Sequence, residues 1–415
     1  MIKIQMKQLL TLTILTSVTV GMLTGMPNKA LAQNTPPTID KADAETSFWD
    51  LAYLDKPYIE TSPMAMKDGI EVGHLSTMSE KGNDKTSIKR EQMILKFAQE
   101  IADSKHGKID SLLISHQNKL VFESYYLRGR VDLPHMQASS TKSYLSLAVG
   151  RAIQMGYLSM SDLSKPLVSF LKDIDLSKAA KGVEKITLHK AMSMQSGVKI
   201  SREKVKELDK NVEAMKGQKQ IQSYFENIPD INSASQVFNY NAADPRMVMQ
   251  VLDAVVPGTA KNFIEKELLH KMGITNFKWR EDISGLLVGP YGSSMTSRNM
   301  LKWGTLVANK GKYNGEQLVP EVFVKKATNA VVHPNSEQAF FIGDNLSNPG
   351  YGYYFWQADM KFAGKSYYSQ SAQGGGGQYI IMIEELDLIV VFTAHERDDK
   401  TMKITADNVL PAFVN

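Results

Sequence analysis

The chain has 415 residues, 43% of them hydrophobic, and no cysteine. It can therefore bury a large core, as one domain with an insertion or two modest domains, while disulfides, thiolate metal sites, a cysteine nucleophile and a lipid-modified cysteine are excluded. The formal net charge is +4, but Lys3, Lys7 and Lys29 lie in the first 32 residues with no acidic residue among them, and the +1 left to the remainder is too little for a nucleic-acid partner.

Residues 1–32 have the layout of a cleavable secretory signal: a short basic start, an apolar run from Leu9 to Met26, and Ala30-Leu31-Ala32 before Gln33. Thr and Gly dilute the apolar run, which favours cleavage over a retained anchor. The mature chain is expected to start near Gln33, in a bacterial periplasm or the medium, with no stable membrane anchor. Residues 33–88 read as a leader and anchoring segment, polar around Pro36-Pro37 and then supplied with aromatics from Phe48 to Tyr53. A helix is predicted near Lys89 to Ile101, then strands over 109–115 and 119–125, joined by the turn residues His116-Gln117-Asn118.

The next helix starts at Ser139-Ser140-Thr141-Lys142 and runs to about Met155, with Tyr144, Leu145, Ala148, Val149, Ala152 and Ile153 at helical spacing and Gly156 in the capping position. Ser139 and Lys142 are three apart, so hydroxyl and ammonium share one face beside backbone N–H groups that lack an intrahelical acceptor. A serine hydroxyl needs an adjacent base to become a nucleophile, and a desolvated lysine can serve. Simple N-capping is the other reading. Ser-x-x-Lys recurs at Ser169/Lys172, Ser196/Lys199 and Ser201/Lys204, but only Ser139 opens a strongly apolar helix. His135, four residues earlier, lines a cleft or closes a loop.

Residues 157–339 are mostly helical, with segments near 165–171, 187–194, 202–215, 219–225, 245–255, 260–272 and 297–310, and a last helix after Pro320. Tyr240 falls on a loop before the helix that Asp244 and Pro245 open. A phenol near an ammonium can shuttle a proton, and packing is the alternative. Strands resume over 351–356, 365–369, 378–383 and 388–393, with Glu384-Glu385-Leu386-Asp387 as a hairpin turn. Residues 89–156 and 340–415 thus form a sheet domain interrupted by a helical one, an α+β arrangement with a cleft between the two. Gly374-Gly375-Gly376-Gly377 precede the strand at Tyr379, where bare backbone can approach a ligand, as an oxyanion hole requires, or simply bend. The eight histidines show no metal spacing, and neither metal nor cofactor is expected.

In their order, Ser139-Ser140-Thr141-Lys142, Tyr240 and Gly374-Gly375-Gly376-Gly377-Gln378 resemble the serine β-lactamase-like superfamily, on the branch of class C β-lactamases, esterases and 6-aminohexanoate-dimer hydrolase-like enzymes. The runs Met192 to Gly197, Ser293 to Leu301, Asn309-Lys310-Gly311 and Tyr351-Gly352-Tyr353 strengthen the likeness, which covers roughly residues 90 to 412. The resemblance implies a β-lactamase/transpeptidase-like fold, with an antiparallel sheet, flanking helices and an inserted mostly helical domain. It also implies Ser139 as acylated nucleophile, Lys142 as proton acceptor, Tyr240 as proton shuttle, and the N–H groups of Ser139 and Gly375 as oxyanion hole. Gly374, Gly376, Asn241 and His135 would contact substrate. Two positions depart from class C enzymes: Tyr240-Asn241-Ala242 stands for Tyr-x-Asn, and Ala372-Gln373-Gly374 for Lys-Thr-Gly. The expected partner is a small ester or linear amide, with β-lactamase or D,D-peptidase activity, or a non-catalytic penicillin-recognising protein, as alternatives; oligomeric state is left open.

Overall fold

The computed structural model describes residues 35–40, 46–76, 85–339 and 341–414; the expected signal at 1–32 lies outside them. In chain order, strand β1 (Tyr58–Glu60) and helix α1 (Lys85–Ala102) lead to β2 (Ile109–His116), β3 (Lys119–Tyr125), β4 (His135–Met136) and α2 (Ser140–Gln154). There follow α3 (Leu188–Met192), α4 (Arg202–Leu208), α5 (Lys219–Glu226), α6 (Ala243–Val255) and α7 (Ala260–Ile264), then β5 (Phe277–Trp279), β6 (Ser293–Met295) and α8 (Ser297–Ala308). A small hairpin, β7 (Lys312–Tyr313) with β8 (Glu316–Gln317), and α9 (Glu321–Thr328) precede β9 (Leu346–Tyr351), β10 (Trp356–Phe362), β11 (Lys365–Gly374), β12 (Gln378–Ile383), β13 (Leu388–Ala394) and a helical segment over 401–413.

Eight strands pair antiparallel in the order β1-β3-β2-β13-β12-β11-β10-β9. The two chain ends thus meet at the β2–β13 junction, where Val391 faces Leu113. Both faces of the sheet are covered, which explains why Leu388-Ile389-Val390-Val391-Phe392 is a continuous apolar run and not an alternating one. Ile380, Met382, Ile389 and Val391 pack with α2 and α8, whereas Tyr379, Ile381, Val390 and Phe392 pack with α1 and the C-terminal segment.

The segment read as leader and anchor also holds β1, whose Tyr58 pairs with Tyr125 at the sheet edge; three residues are too few to show a period. Three sequence expectations are corrected. The helix predicted near 165–171 is a single 3-10 turn, Leu167–Phe170, with only Leu167 buried. The long helix predicted over 202–215 stops at Leu208 and resumes as the 3-10 turn Val212–Met215. In the aromatic run 351–356, Tyr351 ends β9 and Trp356 opens β10, while 352–355 are the buried connection between them: Tyr354 has φ +65°, and a Cβ on Gly352 would lie 2.1 Å from the Ala327 carbonyl. Tertiary packing there overrides the β preference of its side chains.

Candidate active site

The N-terminus of α2 is held from three directions by hydroxyls of its own first turns. Ser140 Oγ donates to the Gln378 carbonyl (2.8 Å), Thr141 Oγ1 bonds Ser293 Oγ (2.8 Å), and Ser143 Oγ donates to the Tyr354 carbonyl (2.6 Å). Ser293 belongs to a three-stranded sheet, β4-β6-β5, and its carbonyl accepts from Gln137 N (2.9 Å). Those short strands were not legible in the sequence, yet they fix the chain that leads into the helix. Ala138 takes φ +44°, an uncommon conformation for a residue with a Cβ, and delivers Ser139 to the N-cap position.

Ser139 occupies that position without capping: its hydroxyl satisfies no helix N–H. Instead Lys142 Nζ donates to Ser139 Oγ at 2.8 Å and to the Pro290 carbonyl at 2.8 Å. Lys142 is 4% exposed, and its ammonium stands 4.8 Å from the centre of the Tyr240 ring. Among the described residues no carboxylate forms an ion pair with it. The other three Ser-x-x-Lys sites do none of this. Ser196 donates to buried Asp244, Ser201 caps α4, and Ser169 returns to the Pro166 carbonyl.

Tyr240 both packs and faces the site: it is 39% exposed, stacks on Trp356 and meets Tyr351 edge-on. Asn241 spends its amide on its own turn, donating to the Asn239 carbonyl (2.8 Å) and accepting from Asp244 N (2.9 Å). Its oxygen thus satisfies one first-turn N–H of α6, whose N-cap position is Ala242.

The glycines divide their tasks. A Cβ on Gly374 would lie 2.2 Å from the Gln137 carbonyl, so a bare backbone is what lets β11 approach the start of α2; Gly376 and Gly377 make the turn at φ +96° and +95°. A Cβ on Gly375 would meet nothing within 4 Å, so the turn opens to free space there.

A second constellation lies beside this turn. Buried Asp110 accepts from His395 Nδ1 (2.7 Å) and His135 Nε2 (3.1 Å) through Oδ2, and from Arg128 N (3.0 Å) through Oδ1. Burial alone would raise its carboxyl, and the bonds from the two imidazoles outweigh burial and hold it below its ordinary value. His135 thus sits in the wall of a cavity next to the glycine turn, held by a carboxylate 25 residues away.

The profile of the beta-lactamase family matches residues 97–412, well over half of the chain. The chain belongs to the beta-lactamase family. It is similar to an uncharacterized protein of Alkalihalophilus pseudofirmus, 25% identical over 237 residues, which are 54% of this chain and 66% of that protein. Its structure is similar to one described as a 6-aminohexanoate-dimer hydrolase from Bacillus anthracis (17% identity, TM-score 0.55, 75% of this chain and 80% of that one). A family VIII carboxylesterase (13%, TM-score 0.59, 79% and 98%) and a class C beta-lactamase (13%, TM-score 0.58, 80% and 98%) share the fold as well.

Within the beta-lactamase family the departure at Ala372 is structural as well as sequential. Ala372 is buried against Ser143 and Tyr144 and presents no polar group. Arg298, a candidate to replace a lost cation, is locked away: Nε and Nη2 clamp the Glu123 carboxylate (2.7 and 2.6 Å), and Nη1 bonds Asp68 (2.9 Å). Arg298 thereby ties β3 to α8.

Proposed function

We propose that this chain is an exported serine hydrolase that cleaves a small ester or linear amide through an acyl-enzyme on Ser139. The observation that carries the reading is the 2.8 Å contact of Lys142 Nζ with Ser139 Oγ on a rigid, buried helix turn. In the acylation step Lys142 acts as the neutral amine: the Ser139 oxygen bonds the substrate carbonyl carbon while its proton passes to the lone pair of Lys142 Nζ. The carbonyl oxygen, now negative, is stabilised by the N–H groups of Ser139 and Gly375 and by the positive end of α2. Tyr240, above Lys142, returns the proton to the leaving group; water then repeats the sequence to release the acid.

Substrate preference follows from what is missing. A charge-assisted bond to a substrate carboxylate contributes roughly 1.5–3 kcal/mol, and neither Ala372 nor Arg298 can supply it in the place a lactamase would. Esters need less help because their leaving group departs more easily. The names of two similar structures, a carboxylesterase and a 6-aminohexanoate-dimer hydrolase, denote ester and linear-amide substrates, at identities that speak to fold alone. The test is a kcat/KM comparison of p-nitrophenyl butyrate, a linear anilide and the cephalosporin nitrocefin. The ester value is expected to exceed the nitrocefin value by on the order of a hundredfold or more; equality or the reverse order contradicts the reading. Absence of all turnover, and of labelling by a fluorophosphonate, contradicts the hydrolase reading and leaves the non-catalytic alternative. Export is checked by N-terminal sequencing of protein from the periplasm or medium, which should begin near Gln33 and not at Met1.

A further inference from the structure

Beside Gly375 and Gly376 lies a cavity of about 750 Å³ that the Ser139–Lys142 chemistry does not itself use. One wall is apolar: Phe48, Trp49 and Tyr53 from the N-terminal segment, with Met136 from β4. Trp49, Tyr53 and Met136 are 59%, 46% and 54% exposed, an unusual concentration of uncovered apolar side chains beside a catalytic turn. The wall is preformed. Arg128 donates to the carbonyls of Leu51 (3.1 Å) and Trp49 (2.9 Å), and its guanidinium lies 4.7 Å from the centre of the Tyr53 ring. Arg130 adds a bond to the Ala52 carbonyl (3.1 Å). Phe48 packs edge-on against His135 (4.5 Å between ring centres), which Asp110 orients in turn.

The charge lining the cavity is unbalanced. Lys108, Arg128 and Arg397 face it, against the single carboxylate of Glu396. Glu396 is already engaged by backbone donors, Lys108 N (3.0 Å) and Arg397 N (2.7 Å). Lys108 and Arg397 are exposed, so their cationic ends stand where a ligand can reach them. An aromatic wall with a cationic rim suits a group that is apolar along its length and anionic at its far end.

We propose that this cavity is the acyl subsite of the enzyme, and that it takes acyl groups ending in a carboxylate on an apolar or aromatic stem. The stem lies along Trp49, Tyr53 and Met136, the carboxylate reaches Lys108 and Arg397, and Gly375 joins this cavity to the oxyanion site. The proposal rests on the reading of Ser139 as nucleophile, and the experiment separates the two. With the leaving group held constant, p-nitrophenyl hydrogen adipate is compared with p-nitrophenyl hexanoate. The carboxylated ester should be turned over with kcat/KM about tenfold higher at low ionic strength, the advantage shrinking as salt is added. In Lys108→Ala/Arg397→Ala the ratio should fall towards one, and Trp49→Ala should raise KM for both esters. Calorimetric binding of adipic acid monoanilide to Ser139→Ala supplies a readout free of catalysis. If no ester is hydrolysed yet the anilide binds with an affinity the double variant loses, the subsite stands and the nucleophile assignment falls. If both esters react alike, or the double variant keeps the full preference, the subsite assignment is overturned.

Discussion

Ser139 Oγ and Lys142 Nζ lie 2.8 Å apart. Because they act as one unit, Ser139→Ala should abolish ester turnover, and Lys142→Ala should lower kcat by on the order of a thousandfold or more, with circular dichroism unchanged in both. Retention of a tenth of the activity by either variant would remove the pair from the mechanism. Asp244 gives a prediction of a different kind. Burial pushes its carboxyl up to about 7, against the lowering effect of hydrogen bonds from Ser196 and Asn241. The folded state therefore holds this proton more tightly than the unfolded chain, where the value is 3.8. Its contribution to stability is fully present below the unfolded value and is lost as pH rises towards about 7, with a slope of at most about 1.4 kcal/mol per pH unit. Asp244→Asn should flatten that part of the stability profile, measured as urea midpoints at several pH values between about 4 and 8; an unchanged slope would show that another group titrates.

Among the elements, α2 and the glycine turn decide the site. The helix was legible because its apolar residues repeat at 3.6 and its core-facing residues Tyr144, Leu145, Ala148, Val149 and Ala152 are all buried. What the sequence hid was why its polar start is also buried, since Ser140, Thr141 and Ser143 find their partners 152 to 238 residues away. The four glycines could be read as a bend or a ligand approach but not separated. Structure separates them, and substitution should too. Gly374→Ala forces a Cβ against the Gln137 carbonyl and should cost about 1–3 kcal/mol with a fall in kcat, as β11 is pushed off α2. Gly375→Ala points into open space and should leave the melting temperature within about a degree while raising KM. Equal losses of stability in the two variants, read by calorimetry, would contradict this division.

On the scale of the whole molecule, the chain ends form one sheet and the helical region closes over it. The fold class was legible because the motifs occur in family order and because strands at both ends bracket helices. The Asp110–His135–His395 cluster was not, since Asp110 and His395 are 285 residues apart and meet only where β2 pairs with β13. Arg298 is a similar case. In the fold it joins the 64–68 segment, β3 and α8 through Met64, Asp68 and Glu123, partners far apart in the sequence. Arg298→Ala leaves the Glu123 carboxylate buried without its guanidinium and should destabilise the protein by about 3–5 kcal/mol, measured by urea denaturation; a loss below about 1 kcal/mol would show the network to be dispensable. The reading of the whole as a serine hydrolase is tested most directly by intact-mass spectrometry of protein quenched during turnover of p-nitrophenyl butyrate, followed by peptide mapping. A butyryl adduct is expected on Ser139, one that Ser139→Ala cannot form. Turnover with no adduct, or an adduct on any other residue, would contradict that reading.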